Sequence, residues 1–453
     1  MRGFLFLLIF ISCLPLVFVS PFYGVLIWYV FSLGNFHTLT WGVLGDLHYA
    51  YIIAIVTCFS WAISRKELKK LPFSPLVTLT LLFSIWMTIT SFSALGPSDD
   101  VWRQWELVQK ILFMCFVGYA LTTTRERVDQ LVWAVVFSIG IWGVKGAISV
   151  AVHGGIGPPG IHGPEGGVTS DNNEFGIALI MILPLLFYQW HIATNRNIRR
   201  GLMVVGFLIS MAVIFTYSRG AFLGLTAMGA VFWLRSRAKL ATALLVLTVA
   251  LAVYSFVPQA WFDRMATIND PENPRLWIWQ VCLRIAELHP IFGGGFRVTF
   301  WPGVANTMLV GTDLKMLTTP RAAHSIWLDA LSEHGWPGLV LFAAIAGYSL
   351  FSCSWLIRIS RGRPDFAWAN LLGRMGQSSL VGFWVSGSFA SLAYFDEYWC
   401  IIFIFDAARR IVATQIANPV NALRVAPAIA PVRAGALARS SQLAGYVHAN
   451  REY

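Results

Sequence analysis

Residues 174–220 read EFGIALIMILPLLFYQWHIATNRNIRRGLMVVGFLISMAVIFTYSRG, and this stretch decides the fold class. Its two apolar runs, 174–192 and 201–217, are each close to the roughly 20 residues that a helix needs to cross a bilayer core. Between them stand Arg196, Arg199 and Arg200, a basic cluster of the kind that stays on the cytoplasmic side of a membrane. After the second run comes Ser218-Arg219-Gly220, which interrupts the apolar pattern before it resumes.

The rest of the chain repeats this pattern. Of 453 residues, 57% are hydrophobic and 12% are charged, about half the charge of an ordinary soluble domain. A soluble enzyme, a disordered protein and a secreted disulfide scaffold are thereby excluded, which leaves an all-α polytopic membrane protein. The net charge of +11 sits in short clusters between apolar runs, so it marks membrane orientation and not a nucleic-acid surface. Cys13, Cys58, Cys115, Cys353 and Cys400 fall inside apolar runs and Cys282 in an expected loop, which gives no disulfide or zinc framework.

Expected spans are 46–63, 74–94, 107–123, 130–150, 174–192, 201–217, 220–234, 240–257, 338–357, 370–392 and 396–412. The opening run, 4–34, is either one kinked span or two short helices broken near Pro15 and Pro21. Its start resembles a signal peptide without a small-x-small cleavage site, so it is read as retained. Basic clusters occur at Arg65, Lys66, Lys69 and Lys70; Arg125 and Arg127; Arg196, Arg199 and Arg200; Arg235, Arg237 and Lys239; Arg358, Arg361 and Arg363; and Arg409 and Arg410. Two spans separate each cluster from the next, so all six share the cytoplasmic face. Counting 4–34 as one crossing gives about twelve spans.

The same parity places 95–106, 151–173, 258–324 (continuing to about 337) and 393–396 on the outer side. The long loop carries Trp261, Trp277, Trp279, Trp301 and Trp327, which predicts short helices lying along the membrane surface. Residues 1–416 form the membrane domain, with 417–453 as a poorly ordered cytoplasmic tail bearing Arg424, Arg433 and Arg439.

Polar groups at membrane depth are costly and point to function. Arg219, Arg275, Arg321, His324 and the Asp171-Asn172-Asn173-Glu174 run all fall on the outer side. Arginine offers a planar fork of donors suited to phosphate, and a lipid pyrophosphate would place its tail among apolar helices. Alternatively each arginine snorkels or pairs with acids such as Asp270 or Glu272. If a helix runs through His324, Gly335 and Gly338 return to within about 40° of its face and leave a side-chain-free strip below the histidine. The glycine runs 154–160 and 293–295 lack a Gly-Lys-Ser/Thr ending and read as turns. Asp99-Asp100 could bind a metal ion, though carboxylate pairs in exposed loops are usually just solvated, and no ligand spacing around Glu333 and His334 supports a zinc site.

His324-Ser325, nine residues, then Gly335-x-x-Gly338, preceded by Ser218-Arg219-Gly220 and Arg275, resemble the O-antigen ligases and their polymerase relatives over roughly 45–410. The opening run and 171–175 resemble the exosortase-associated O-glycosylation ligases. The resemblance implies a C-type, all-helical glycosyltransferase architecture in a Gram-negative inner membrane, with no cofactor or metal. It implies a glycan on undecaprenyl pyrophosphate as donor and lipid A–core as acceptor, or else a repeat unit or a protein hydroxyl. It further implies that Arg219 and Arg275 hold the pyrophosphate and that His324 is the catalytic histidine. Arg321, Ser325, Gly335 and Gly338 are added as expected substrate contacts.

Two rivals remain. One is a metal-dependent oligosaccharyltransferase using Asp99, Asp100 or Asp171. The other is a lipid-linked sugar or anion transporter, which should show paired broken helices and an inverted repeat; the sequence displays neither.

Overall fold

The computed structural model describes residues 2–40, 45, 47–65, 67, 70–153, 160–235, 239–240, 274–311 and 316–418. Outside these lie the expected span 240–257 from residue 241 on, Trp261, Asp270, Glu272, Lys66, Lys69, Arg237, most of the glycine run 154–160, and the tail with Arg424, Arg433 and Arg439. The described residues form helices joined by turns, with no strand among them. The helices are α1 (Arg2–Val19), α2 (Pro21–Gly34), α3 (Tyr49–Ile63), α4 (Pro75–Phe92), α5 (Ser98–Leu121), α6 (Arg125–His153) and α7 (Asn172–Ile192). They continue as α8 (Arg196–Phe215), α9 (Arg219–Arg235), α10 (Pro274–Leu288), α11 (Pro302–Leu309), α12 (Ile326–Ile359), α13 (Ala367–Gly387) and α14 (Asp396–Ala417).

Among the described residues five helices, α4, α6, α7, α8 and α12, are long and apolar enough to cross a bilayer, while α1, α2, α3 and α9 are shorter apolar helices. The opening run is two helices. The break falls at Ser20, where Pro21 starts α2, and Pro15 is accommodated inside α1. Two further expectations are corrected. The stretch 95–106 is not a loop, because α5 begins at Ser98; Asp99 and Asp100 occupy its first turn, where the helix dipole favours carboxylates. Cys282 is buried inside α10 and not in a loop.

Glycines and serines set the packing around α13. An added Cβ at Gly224 of α9 would lie 2.8 Å from the Gly382 carbonyl oxygen, and one at Gly220 would lie 3.3 Å from that of Ser386. The α9 and α13 backbones therefore touch, as small residues permit between membrane helices. Helix α7 packs on α6, α8, α9 and α13, and most of its side chains are buried.

Helix α12 breaks at Gly335, whose φ of 66° and ψ of −172° are not helical. The freed backbone groups are taken up by residues 290–295. Gly294 N–H donates to Ser332 O at 2.8 Å, Gly295 N–H to Glu333 O at 2.9 Å, and Trp336 N–H to Pro290 O at 2.9 Å. Broken backbone at membrane depth requires such partners. The run 293–295 is thus more than a turn: it is the cradle of the α12 break.

Residues 274–325 carry their own apolar cluster of Ile278, Val281, Ile285, Val298, Ala305, Met308, Leu309 and Leu317. Burying each large apolar side chain contributes about 1.5–3 kcal/mol, so the segment is packed and not trailing. Trp279 of this segment donates through Nε1 to Ala323 O at 3.0 Å, and Trp327 in the first turn of α12 donates to Ser388 Oγ at 3.0 Å.

Candidate active site

The turn before α9 presents Arg219. Ser218 opens the helix, its Oγ accepting the Ala221 N–H at 3.1 Å. Tyr217 stands at φ 54°. Two strands of contact hold this turn: Ile161 N–H donates to Phe215 O at 2.9 Å, and Asn172 Nδ2 donates to Thr216 O at 2.6 Å. Asn172 belongs to the Asp-Asn-Asn-Glu run, so a residue of the first turn of α7 also anchors the Arg219 turn. Arg219 itself is half-buried.

Asp171 caps α7, its Oδ1 accepting the Asn173 N–H at 2.7 Å and Asn173 Nδ2 at 2.9 Å. Burial alone would push this carboxyl up, but hydrogen bonds with Glu174 and with the Asn173 amides hold it below its ordinary value. Glu174 in turn feels Arg275, the second residue of α10.

His324 lies just ahead of α12 in the left-handed region, at φ 51°, a conformation that costs an L-residue roughly 1–2 kcal/mol. Its N–H donates to Ser391 Oγ at 2.8 Å, and Ser391 Oγ donates to Asp329 Oδ1 at 2.9 Å. Burial pulls the imidazole pKa down to about 4; the positive charges of Arg275 and Arg321 push the same way, and Asp171 opposes them. The ring is therefore neutral at physiological pH and feels two guanidinium groups and a carboxylate.

The structure thus brings His324, Arg275, Arg321 and Asp171 into one electrostatic neighbourhood, and ties the Arg219 turn to it through Asn172. It does not bring Gly335 and Gly338 there. His324 precedes the helix, and Gly335 is non-helical, so the helical phase assumed between them does not exist. A side chain at Gly335 would overlap Ile291 O and one at Gly338 would overlap His334 Cβ; protein atoms fill the expected strip. Ser325 is buried and begins α12 through its carbonyl, which accepts the Asp329 N–H at 2.8 Å. Arg321 is exposed, its N–H directed at Thr299 O at 3.4 Å.

Sequence reasoning missed Ser391, Asp329 and the turn between α13 and α14. Glu333 Oε1 accepts the Arg297 N–H at 2.7 Å, and its Oε2 accepts the Tyr394 hydroxyl at 2.7 Å. His334 Nδ1 meets Thr90 Oγ1 at 2.7 Å. The available signal was the spacing of hydroxyls at Ser388, Ser391 and Tyr394, one every third residue.

Comparison with known families gives two matches, the first containing Asp171 and Asn172. Residues 1–194 match a family of unknown function (DUF5935), and residues 204–343 match the O-antigen ligase family. No curated protein matches the chain. The second match contains Arg219, Arg275, Arg321, His324, Ser325, Gly335 and Gly338, and over residues 204–343 the chain is O-antigen ligase-like.

Proposed function

We propose that the protein is an O-antigen ligase. It transfers a glycan from undecaprenyl pyrophosphate to a hydroxyl of lipid A–core, on the periplasmic side of a Gram-negative inner membrane; with α1 and α2 together counted as one crossing, the chain spans that membrane about twelve times. The observation that carries this reading is that His324, held through its N–H by Ser391, lies in the field of Arg275, Arg321 and Asp171, inside the region that matches the ligase family.

The chemistry follows from those groups. The acceptor oxygen attacks the anomeric carbon from the face opposite the pyrophosphate, so the configuration inverts. The bond from that carbon to the phosphate oxygen breaks, and its electron pair leaves with the pyrophosphate. His324 takes the acceptor proton, while Arg275 and Arg219 offset the charge growing on the leaving group. Pyrophosphate is already a good leaving group, so no metal is invoked, and the proposed transfer is metal-independent. A bound pyrophosphate also cancels the arginine charges that depress the imidazole, and so raises its basicity when the donor is in place.

Expression in a bacterium lacking its own O-antigen ligase tests this reading, with His324→Ala alongside on a lipopolysaccharide gel. A ladder from the wild type and none from the variant supports it. No ladder from either shifts the acceptor to a repeat unit or a protein hydroxyl, and those products are then assayed. Cysteine labelling that places residue 324 in the cytoplasm overturns the scheme.

A further inference from the structure

We propose that Ser391 and Asp329 are positioning residues that hold His324 in its left-handed conformation and thereby aim its imidazole. The proposal rests on the reading of His324 as the catalytic base. It is carried by a hydrogen-bond chain running from the His324 amide through one hydroxyl to one buried carboxyl.

Residues 321–325 are held from two sides. On one side the short-helix segment grips the backbone, with Arg321 N–H directed at Thr299 O at 3.4 Å and Trp279 Nε1 donating to Ala323 O at 3.0 Å. On the other side lies the turn between α13 and α14. Its three hydroxyl residues, spaced by three, each meet the opening of α12. Ser388 Oγ accepts Trp327 Nε1 at 3.0 Å, Ser391 Oγ accepts the His324 N–H at 2.8 Å, and the Tyr394 hydroxyl donates to Glu333 Oε2 at 2.7 Å.

Ser391 differs from the other two because its partner is the proposed base. Its hydroxyl accepts from His324 and donates to Asp329 Oδ1 at 2.9 Å, so both directions of the rotor are used. Asp329 is buried and also takes the Ala393 N–H, which fastens its carboxylate to the turn at two points. Because the link runs from the His324 N–H through Ser391 to Asp329, on the far side of the His324 N–Cα bond, it closes a ring around that bond and restrains φ. Without it, relaxation to an ordinary helical φ turns the chain by roughly 110° about that bond and swings the ring away from Arg275, Arg321 and Asp171.

Histidine-labelled protein in detergent micelles tests this without an acceptor or donor. The His324 imidazole resonance, identified by its loss in His324→Ala, is titrated in Ser391→Ala, Ser391→Thr, Asp329→Ala and Asp329→Asn. The expected result is a midpoint in Ser391→Ala that moves up toward the ordinary imidazole value, because the ring has left its burial and both arginines. Ser391→Thr, which keeps the hydroxyl, retains the wild-type midpoint. Asp329→Ala shifts it in the same direction and Asp329→Asn, which keeps an acceptor, shifts it less; this pair decides the matter if Ser391→Ala does not fold. An unchanged midpoint in the alanine variants overturns the proposal, as does an equal shift in Ser391→Thr. Transfer assays separate the two readings. Transfer retained by His324→Ala removes the histidine's catalytic role, whereas an inactive His324→Ala beside a Ser391→Ala of wild-type midpoint and wild-type turnover removes the positioning role alone.

Discussion

Asn172 Nδ2 donates to the Thr216 carbonyl oxygen at 2.6 Å, and this bond joins the first turn of α7 to the turn that presents Arg219. Asn172 is 2% exposed, so the carbonyl it satisfies has no ready replacement from solvent. Leaving a buried acceptor unpaired costs about 1–3 kcal/mol. Asn172→Ala is therefore expected to insert normally, to melt lower, and to transfer glycan at least about tenfold more slowly. Thermal unfolding in detergent and glycan transfer measured on the same preparation check both halves.

Arg219→Lys keeps the positive charge and loses the planar fork. A point charge cannot make two parallel bonds to a phosphate. We expect a large loss of transfer with unchanged membrane insertion, read from a lipopolysaccharide gel and a membrane fraction blot. Near-wild-type transfer would remove Arg219 from the donor site.

The pH dependence of transfer carries a sign. The free-enzyme imidazole, pulled down to about 4 by burial and then by Arg275 and Arg321, is neutral above that pH, so kcat/KM loses its base only in acid. Bound pyrophosphate opposes the arginines, and the acid limb of kcat lies at higher pH than that of kcat/KM. Arg275→Gln removes one depressing charge and moves the kcat/KM limb upward. Profiles of the two enzymes from pH 4 to 8 test the ordering.

Two packing glycines are expected to be intolerant. Gly335→Ala places a side chain against Ile291 O at a positive φ, a strain of roughly 1–3 kcal/mol. Gly224→Leu drives a branched side chain into the Gly382 carbonyl and the Ser386 side chain and separates α9 from α13. Both variants should melt well below the wild type, and Gly201→Ala, which meets nothing within 4 Å, should not.

Much of the helix layout was legible because the bilayer imposes a one-dimensional code. The run 74–94 emerges as α4, Pro75–Phe92, and its start was written in Ser74-Pro75: the serine hydroxyl accepts the Val77 N–H at 3.2 Å and proline takes the first helical position. The helical start at Pro274 was equally readable. The early start of α5 was not, because Asp99, Asp100 and Arg103 look like loop residues until a helix end and an ion pair make use of them. The glycine strip failed for a different reason. Its helical phase required that His324 be helical, and a positive φ cannot be inferred from a histidine codeword alone.

The sequence by itself marked this chain as a membrane protein, located most of the runs that are helices among the described residues, and raised Arg219, Arg275, Arg321 and His324 as candidates. Length, apolarity and residue type suffice for that, since a hydrocarbon core selects on each segment separately. Tertiary structure alone decided how the histidine is held. Its amide finds Ser391, which is 67 residues further along the chain, and that hydroxyl turns back to Asp329 in the next helix. Such a closure depends on where the α13–α14 turn returns in space, and the hydrogen bonds that enforce it act over 3 Å, a scale on which separation along the chain carries no information.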